Sequence, residues 1–141
     1  MDLFPWVPEE RYDVIVASLY QMPVDPFEQV TTHRPLDYWG RNLIDHLIAK
    51  LPEALAQGGV AYIMQLSIIG RERTVELLEA RGFRSRVVDF GFFEFHELFA
   101  DKRGQIERVE RLSDAYHLTL DGDNVMVAYL VEATRQVDSP A

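Results

Sequence analysis

Val14-Ile15-Val16-Ala17 is an apolar run without alternation. A strand with one wet face alternates apolar and polar residues at period two. An unbroken run instead marks a strand covered on both faces, the habit of parallel sheets. Parallel neighbours cannot be joined by a tight turn; they need a crossover, usually a helix. The run therefore demands that helices and further strands alternate along the rest of the chain.

They do. Leu43, Ile44, Leu47, Ile48, Leu51 and Leu55 recur at helical spacing after Asp37, a capping residue, and Gly58-Gly59 is expected to stop that helix. Pro52 should kink or restart it. Val60–Met64 reads as a second buried strand, Arg71–Arg81 as a short helix, and Phe83–Phe95 as a third strand interrupted near Gly91. Lys102–Leu112 reads as a helix with Ile106, Val109 and Leu112 on one side. Tyr116–Leu120 and Val125–Ala133 flank Asp121-Gly122-Asp123-Asn124, a strong signal for antiparallel pairing. The expected class is α/β: a mainly parallel open sheet with flanking helices and an antiparallel strand pair at the C-terminal end. With no repeat, low-complexity segment or linker, residues 1–141 read as a single domain.

Composition narrows the chemistry. The absence of cysteine removes disulfides, thiolate metal sites and cysteine nucleophiles, and it fits a reducing cytoplasm. There is no membrane-length apolar stretch and no signal-peptide pattern. A net charge of -9 disfavours an extended phosphate-binding surface, so nucleic acid is not indicated. Arg71, Arg73, Arg81, Arg84 and Arg86 then read as a solvated helix face and strand edge. His33, His46, His96 and His117 have no metal-ligand spacing; Glu94-Phe95-His96-Glu97 lacks a second histidine, so no metal is expected. Trp6 and Trp39 fall in loops, where packing is favoured over ligand stacking.

In open α/β sheets, ligands bind beyond the carboxyl ends of the strands. Ser18, Leu19, Tyr20 and Gln21 occupy the first such end and place a hydroxyl, an aromatic ring and an amide side by side. Pro23 and Pro26 restrict how the chain leaves. The long connection from 19 to 36 is itself a functional candidate.

The order of these segments resembles the C-terminal half of class I S-adenosylmethionine-dependent methyltransferases, in the branch with small-domain rRNA and protein-glutamine enzymes. Met1-Asp2-Leu3-Phe4, then Glu10-Arg11-Tyr12-Asp13-Val14-Ile15-Val16, is similar to the family's GDLF segment running into its fourth strand. The Asp37–Gly59 helix with its double glycine resembles the helix and LKPGG-like turn before the fifth strand. The pieces at Gly82-Phe83 and Asp121-Gly122 resemble the sixth and seventh. Nearly the whole chain is covered.

This resemblance implies a partial Rossmann-like methyltransferase fold lacking its N-terminal strands. It also implies methyl transfer from S-adenosylmethionine by the intact parent protein. The family's Asn-Pro-Pro-Tyr motif, which grips a target nitrogen, falls on Ser18, Leu19, Tyr20 and Gln21; none is identical, and the acceptor stays unidentified. Asp2 and Leu3 match positions that contact the cofactor's adenine. The Gly-rich cofactor loop would lie upstream of Met1, so the chain is expected to hold the acceptor side of an enzyme. The alternative is a non-catalytic α/β interaction module that dimerises through an exposed edge strand, Asp13–Ser18.

Overall fold

The structure, a computed structural model, describes residues 7–24 and 38–136. Asp2, Leu3, Trp6, Pro26, His33 and Asp37 lie outside the described residues. The elements are strand β1 (Tyr12–Ala17), helix α1 (Asn42–Ala54), strand β2 (Leu55–Leu66), helix α2 (Glu72–Ala80), strand β3 (Phe83–Glu94), helix α3 (His96–Leu112), and strands β4 (Leu118–Leu120) and β5 (Asp123–Arg135). A 3₁₀ turn at Ser67–Ile69 links β2 to α2.

Alternation of strands and helices makes this an α/β fold, but the sheet is mixed rather than mainly parallel. Its order is β1-β2-β5-β3, with β4 also pairing β5. β1 and β2 are parallel, whereas β5 enters antiparallel between β2 and β3. The expected C-terminal hairpin is present, turning through Asp121-Gly122 with φ of 50° and 84°; positive φ at both central residues matches the right-handed twist of the flanking strands. The hairpin's long arm then carries on past β4 to become an inner strand.

Two expectations fail for tertiary reasons. Gly58-Gly59 does not stop α1, which ends at Ala54 with Leu55 already extended. The glycines instead lie where the β1–β2 register slips between Tyr12↔Leu55 and Val14↔Val60. A Cβ on Gly59 would come within 2.9 Å of the backbone oxygens of both Ala56 and Asp13, so close backbone approach keeps that position bare. Likewise, β3 is continuous through Gly91, and its irregularity falls between Val87 and Asp89.

The apolar run of β1 is not covered on both faces. Ala17 is buried and Ile15 half-buried, but Val14 is 56% and Val16 75% exposed, because no element among the described residues lies over them. Among the described residues β1 is also an edge of the sheet.

One apolar core joins the stripe of α1 (Ile44, Leu47, Ile48, Leu51) to Ala61 and Ile63 of β2, Val131 and Ala133 of β5, Leu78 of α2 and Ile106 of α3. Leu112, expected inward, is exposed at the last turn of α3. Pro52 is accommodated inside α1. The orphan carbonyls at that helix end are taken up from both ends of the sheet sequence. Arg11 Nη1 donates to the oxygens of Pro52 and Leu55 at 3.3 Å each, and Arg135 Nη2 donates to Pro52 O at 3.0 Å and to Leu55 O. Cations at a helix C-terminus also suit its dipole.

The arginine cluster behaves as a solvated face. Arg71, Arg73, Arg81, Arg84 and Arg86 are all exposed. Arg86 stands opposite Glu132 across β3 and β5, and its Nε donates to the carboxylate at 2.9 Å. That hydrogen bond holds the Glu132 carboxyl below its ordinary range and pushes the Arg86 guanidinium up. Because the folded carboxyl is depressed, the pair's stabilisation is present above the unfolded carboxylate value and is lost as pH falls through the folded one. Urea midpoints should therefore be higher for the wild type than for Glu132→Gln at neutral pH, with the gap closing below pH about 4. A gap that persists in acid would show that the charge is not its source.

Candidate functional site

β1, β2 and β3 run in one direction, so their carboxyl ends share one edge of the sheet. The loop beyond β1 is held there by Gln21, which is 2% exposed. Its Nε2 donates to Met64 O, and its Oε1 accepts from the Leu66 amide at 2.8 Å. One side-chain amide thus does what a backbone peptide does in a sheet ladder, extending β1's pairing with β2 beyond Ala17. Met22 and Pro23 are buried behind it.

With Gln21 committed to the scaffold, Ser18 and Tyr20 face outward while Leu19 turns toward the core. Ser18 is exposed, its Oγ donating to Met64 Sδ at 3.8 Å. Leu19 is half-buried against the core, and Tyr20 is 44% exposed. The structure therefore keeps Ser18, Leu19, Tyr20 and Gln21 together at a strand end, with Gln21 fixing the loop and Ser18 and Tyr20 presented to solvent.

Beside this loop opens a cleft of about 640 Å³, lined in part by Trp39, Asn42, Asp45, Arg73, Ser113 and Asp114. Ser18, Leu19, Tyr20 and Gln21 do not line the cleft; the loop approaches it through Pro23 at Gly40, which sits between the lining residues Trp39 and Arg41. A Cβ on Gly40 (φ +72°) would come within 2.8 Å of Pro23 N and 2.9 Å of Ile69 Cγ2, so only glycine lets the three segments meet. Trp39 stacks edge-on with Tyr38, ring centroids 5.0 Å apart, and remains 40% exposed. Arg73 sits 3.8 Å from Glu76 in a loose exposed pair.

The floor of the cleft rests on a buried polar network that the sequence did not reveal. Arg41, 6% exposed, donates through Nη1 to Gly70 O at 2.8 Å and Ile69 O at 3.4 Å, and through Nη2 to Thr74 Oγ1 at 2.8 Å. Asp45, one turn along α1, balances its charge at 2.9 Å. Gln65, fully buried, donates to Leu66 O and Gly70 O and accepts from Thr74 Oγ1. Its amide directly after the apolar run Val60–Met64 was the available signal. Asp114 Oδ2 accepts from the amides of Arg71 at 3.1 Å and Glu72 at 2.9 Å, so the N-terminus of α2 is already filled by an anion of this chain.

No protein-family model matches this chain, and no solved structure matches it. The chain is similar to a protein of Methanocaldococcus jannaschii provisionally named protein N5-glutamine methyltransferase, with 28% identity over 81 residues. The alignment takes in 55% of this chain and 41% of the relative, so the chain spans less than half the relative's length.

Replacing Gln21 by leucine keeps the volume but leaves Met64 O and the Leu66 amide without that partner. The expected loss in folding stability is about 1–3 kcal/mol by chemical denaturation. Ser18→Ala, at an exposed site, should stay within about 0.5 kcal/mol of wild type. Equal midpoints for wild type and Gln21→Leu would remove Gln21 from its positioning role.

Proposed function

We propose that the protein takes part in methyl transfer from S-adenosylmethionine, and that this chain supplies the acceptor side of the reaction. The observation that carries the reading is the similarity to the M. jannaschii protein named as a methyltransferase. The rigidly pinned loop at the carboxyl end of β1 supports it. Transfer from a sulfonium requires little acid–base assistance, and its rate rests on alignment of the acceptor. In this reading Gln21 fixes the loop, Ser18 offers a hydroxyl to the acceptor, Tyr20 shields or stacks on it, and the cleft beside Gly40 takes the remainder of the acceptor molecule.

The described residues do not form a cradle for the cofactor by themselves. The helix N-terminus after β2 is closed by Asp114, and Asp2 and Leu3, the proposed adenine contacts, lie outside the described residues. The proposal for this chain is therefore confined to acceptor positioning. A cytoplasmic setting belongs to the same reading; among the described residues no helix is long and apolar enough to cross a membrane.

A second reading is favoured by one observation, the open apolar edge of β1. Val14 and Val16 are exposed on a strand whose outer backbone edge has no strand beside it among the described residues. Two copies could pair there through the open backbone edge and extend the apolar face that carries both valines.

The first reading is tested with methyl-tritiated S-adenosylmethionine and a glutamine-containing protein or peptide, using the chain with any segment its coding DNA carries in frame upstream. Label should be transferred, and Tyr20→Ala should lower kcat/KM about 10- to 100-fold. Transfer unaffected by Tyr20→Ala would exclude acceptor positioning by this loop, and no transfer to any acceptor would sink the reading. For the second, multi-angle light scattering should find a wild-type dimer and a Val16→Lys monomer. A monomeric wild type across the accessible concentration range would dismiss it.

A further inference from the structure

Away from the cleft, three side chains converge at the carboxyl end of β3. Phe95 sits between Glu94 and His96 and is 3% exposed, with its ring edge-on to Phe99 at a centroid distance of 5.1 Å. Its amide donates to Asn124 O at 3.3 Å, tying the β3–α3 junction to the start of β5. With Phe95 anchored inward, its two neighbours are both turned outward, and Asp123 lies alongside them. His96 Nε2 is 3.1 Å from Glu94 Oε2, and His96 Nδ1 is 3.6 Å from Asp123 Oδ1. One ligating atom from each of the three residues falls within 4.8 Å of the others.

From this arrangement we infer that Glu94, His96 and Asp123 form a binding site for a divalent first-row transition cation. The two contacts use opposite ring nitrogens of His96, and a single ion would take one of them. Tetrahedral ligands about 2.0–2.2 Å from an ion stand roughly 3.3–3.6 Å from one another. The three ligating atoms, now within 4.8 Å, therefore draw together on binding by rotation of exposed side chains. An imidazole nitrogen with two carboxylate oxygens suits zinc, cobalt or manganese better than magnesium or calcium, which take oxygen ligands. Two carboxylates beside one ring repel each other, and a dication neutralises both while water fills the open positions. The side chains remain 45–63% exposed, leaving an entry path. The chain's net charge of -9 draws cations toward it. The anchored Phe95 limits how far the ligands must be ordered, since the backbone carrying two of them is already fixed.

The site was invisible in the sequence because Asp123 belongs to a hairpin far along the chain from the Glu94–His96 pair. No residue of the cluster lines the acceptor cleft, so the proposal stands apart from the methyl-transfer reading.

The test is calorimetric titration of the tag-free, chelator-treated full chain with zinc chloride at neutral pH, paired with cobalt absorption to report ligand geometry. One zinc per chain is expected, together with visible cobalt bands. His96→Ala and Asp123→Asn should each weaken binding about tenfold or more. His117→Ala, which removes the imidazole paired with Glu110, should leave it unchanged. Far-ultraviolet circular dichroism checks that each variant is folded. Absence of saturable binding would overturn the proposal and leave only the contacts of His96 with Glu94 and Asp123. So would zinc affinity in folded His96→Ala within tenfold of wild type.

Discussion

The buried guanidinium of Arg41 is the constraint around which the carboxyl edge of the sheet is organised. A cation is an unfavourable guest at the start of a helix, where the dipole is already positive. Here Asp45 in the first turn of α1 balances the charge, and two carbonyls and a hydroxyl from the β2–α2 junction take the donors. Desolvating such a group costs several kcal/mol unless its donors are met, so α1 and the 3₁₀ turn cannot separate without stranding it. Gln65 and Thr74 complete the same network. The cleft therefore has a floor whose position is fixed by hydrogen bonds that all must hold together.

Gln21 performs the equivalent service for the loop beyond β1. Loops over a sheet edge are ordinarily mobile because their backbone groups bond to water. Substituting a side-chain amide for the missing ladder partner fixes this one against β2 and leaves Ser18 and Tyr20 presented. The same residues that make the loop rigid are thus distinct from those that could meet an acceptor.

Much of the local structure was legible in the residues. The stripe from Ile44 to Leu51, the Asp121-Gly122 turn and the strand ending at Ala17 all appear where periodicity and turn chemistry place them. So does the grouping of Ser18 to Gln21 at a strand end. What the sequence hid were decisions made by distant partners. Gly58-Gly59 has the composition of a helix stop, yet the backbone of Asp13 sets its role. Gln21 looks like an exposed loop amide until Met64 and Leu66, more than forty residues away, claim both its ends. The run at Val14–Val16 reads as doubly buried because hydrophobicity alone does not say whether a second layer is present.

The position of β5 has a consequence for how the protein is made. The last strand to leave the ribosome among the described elements is an inner strand, hydrogen-bonded to β2 on one side and β3 on the other. Until Arg135 has emerged, β2 and β3 can each be synthesised but have no neighbour on their facing edges, and Arg135 itself is missing from the end of α1. From Glu94 until β5 emerges, the nascent chain therefore carries β2 and β3 with their facing edges open, and closure of the sheet waits for β5. During that interval β2 is held on its other edge by β1, whereas β3 has no strand partner among the described elements.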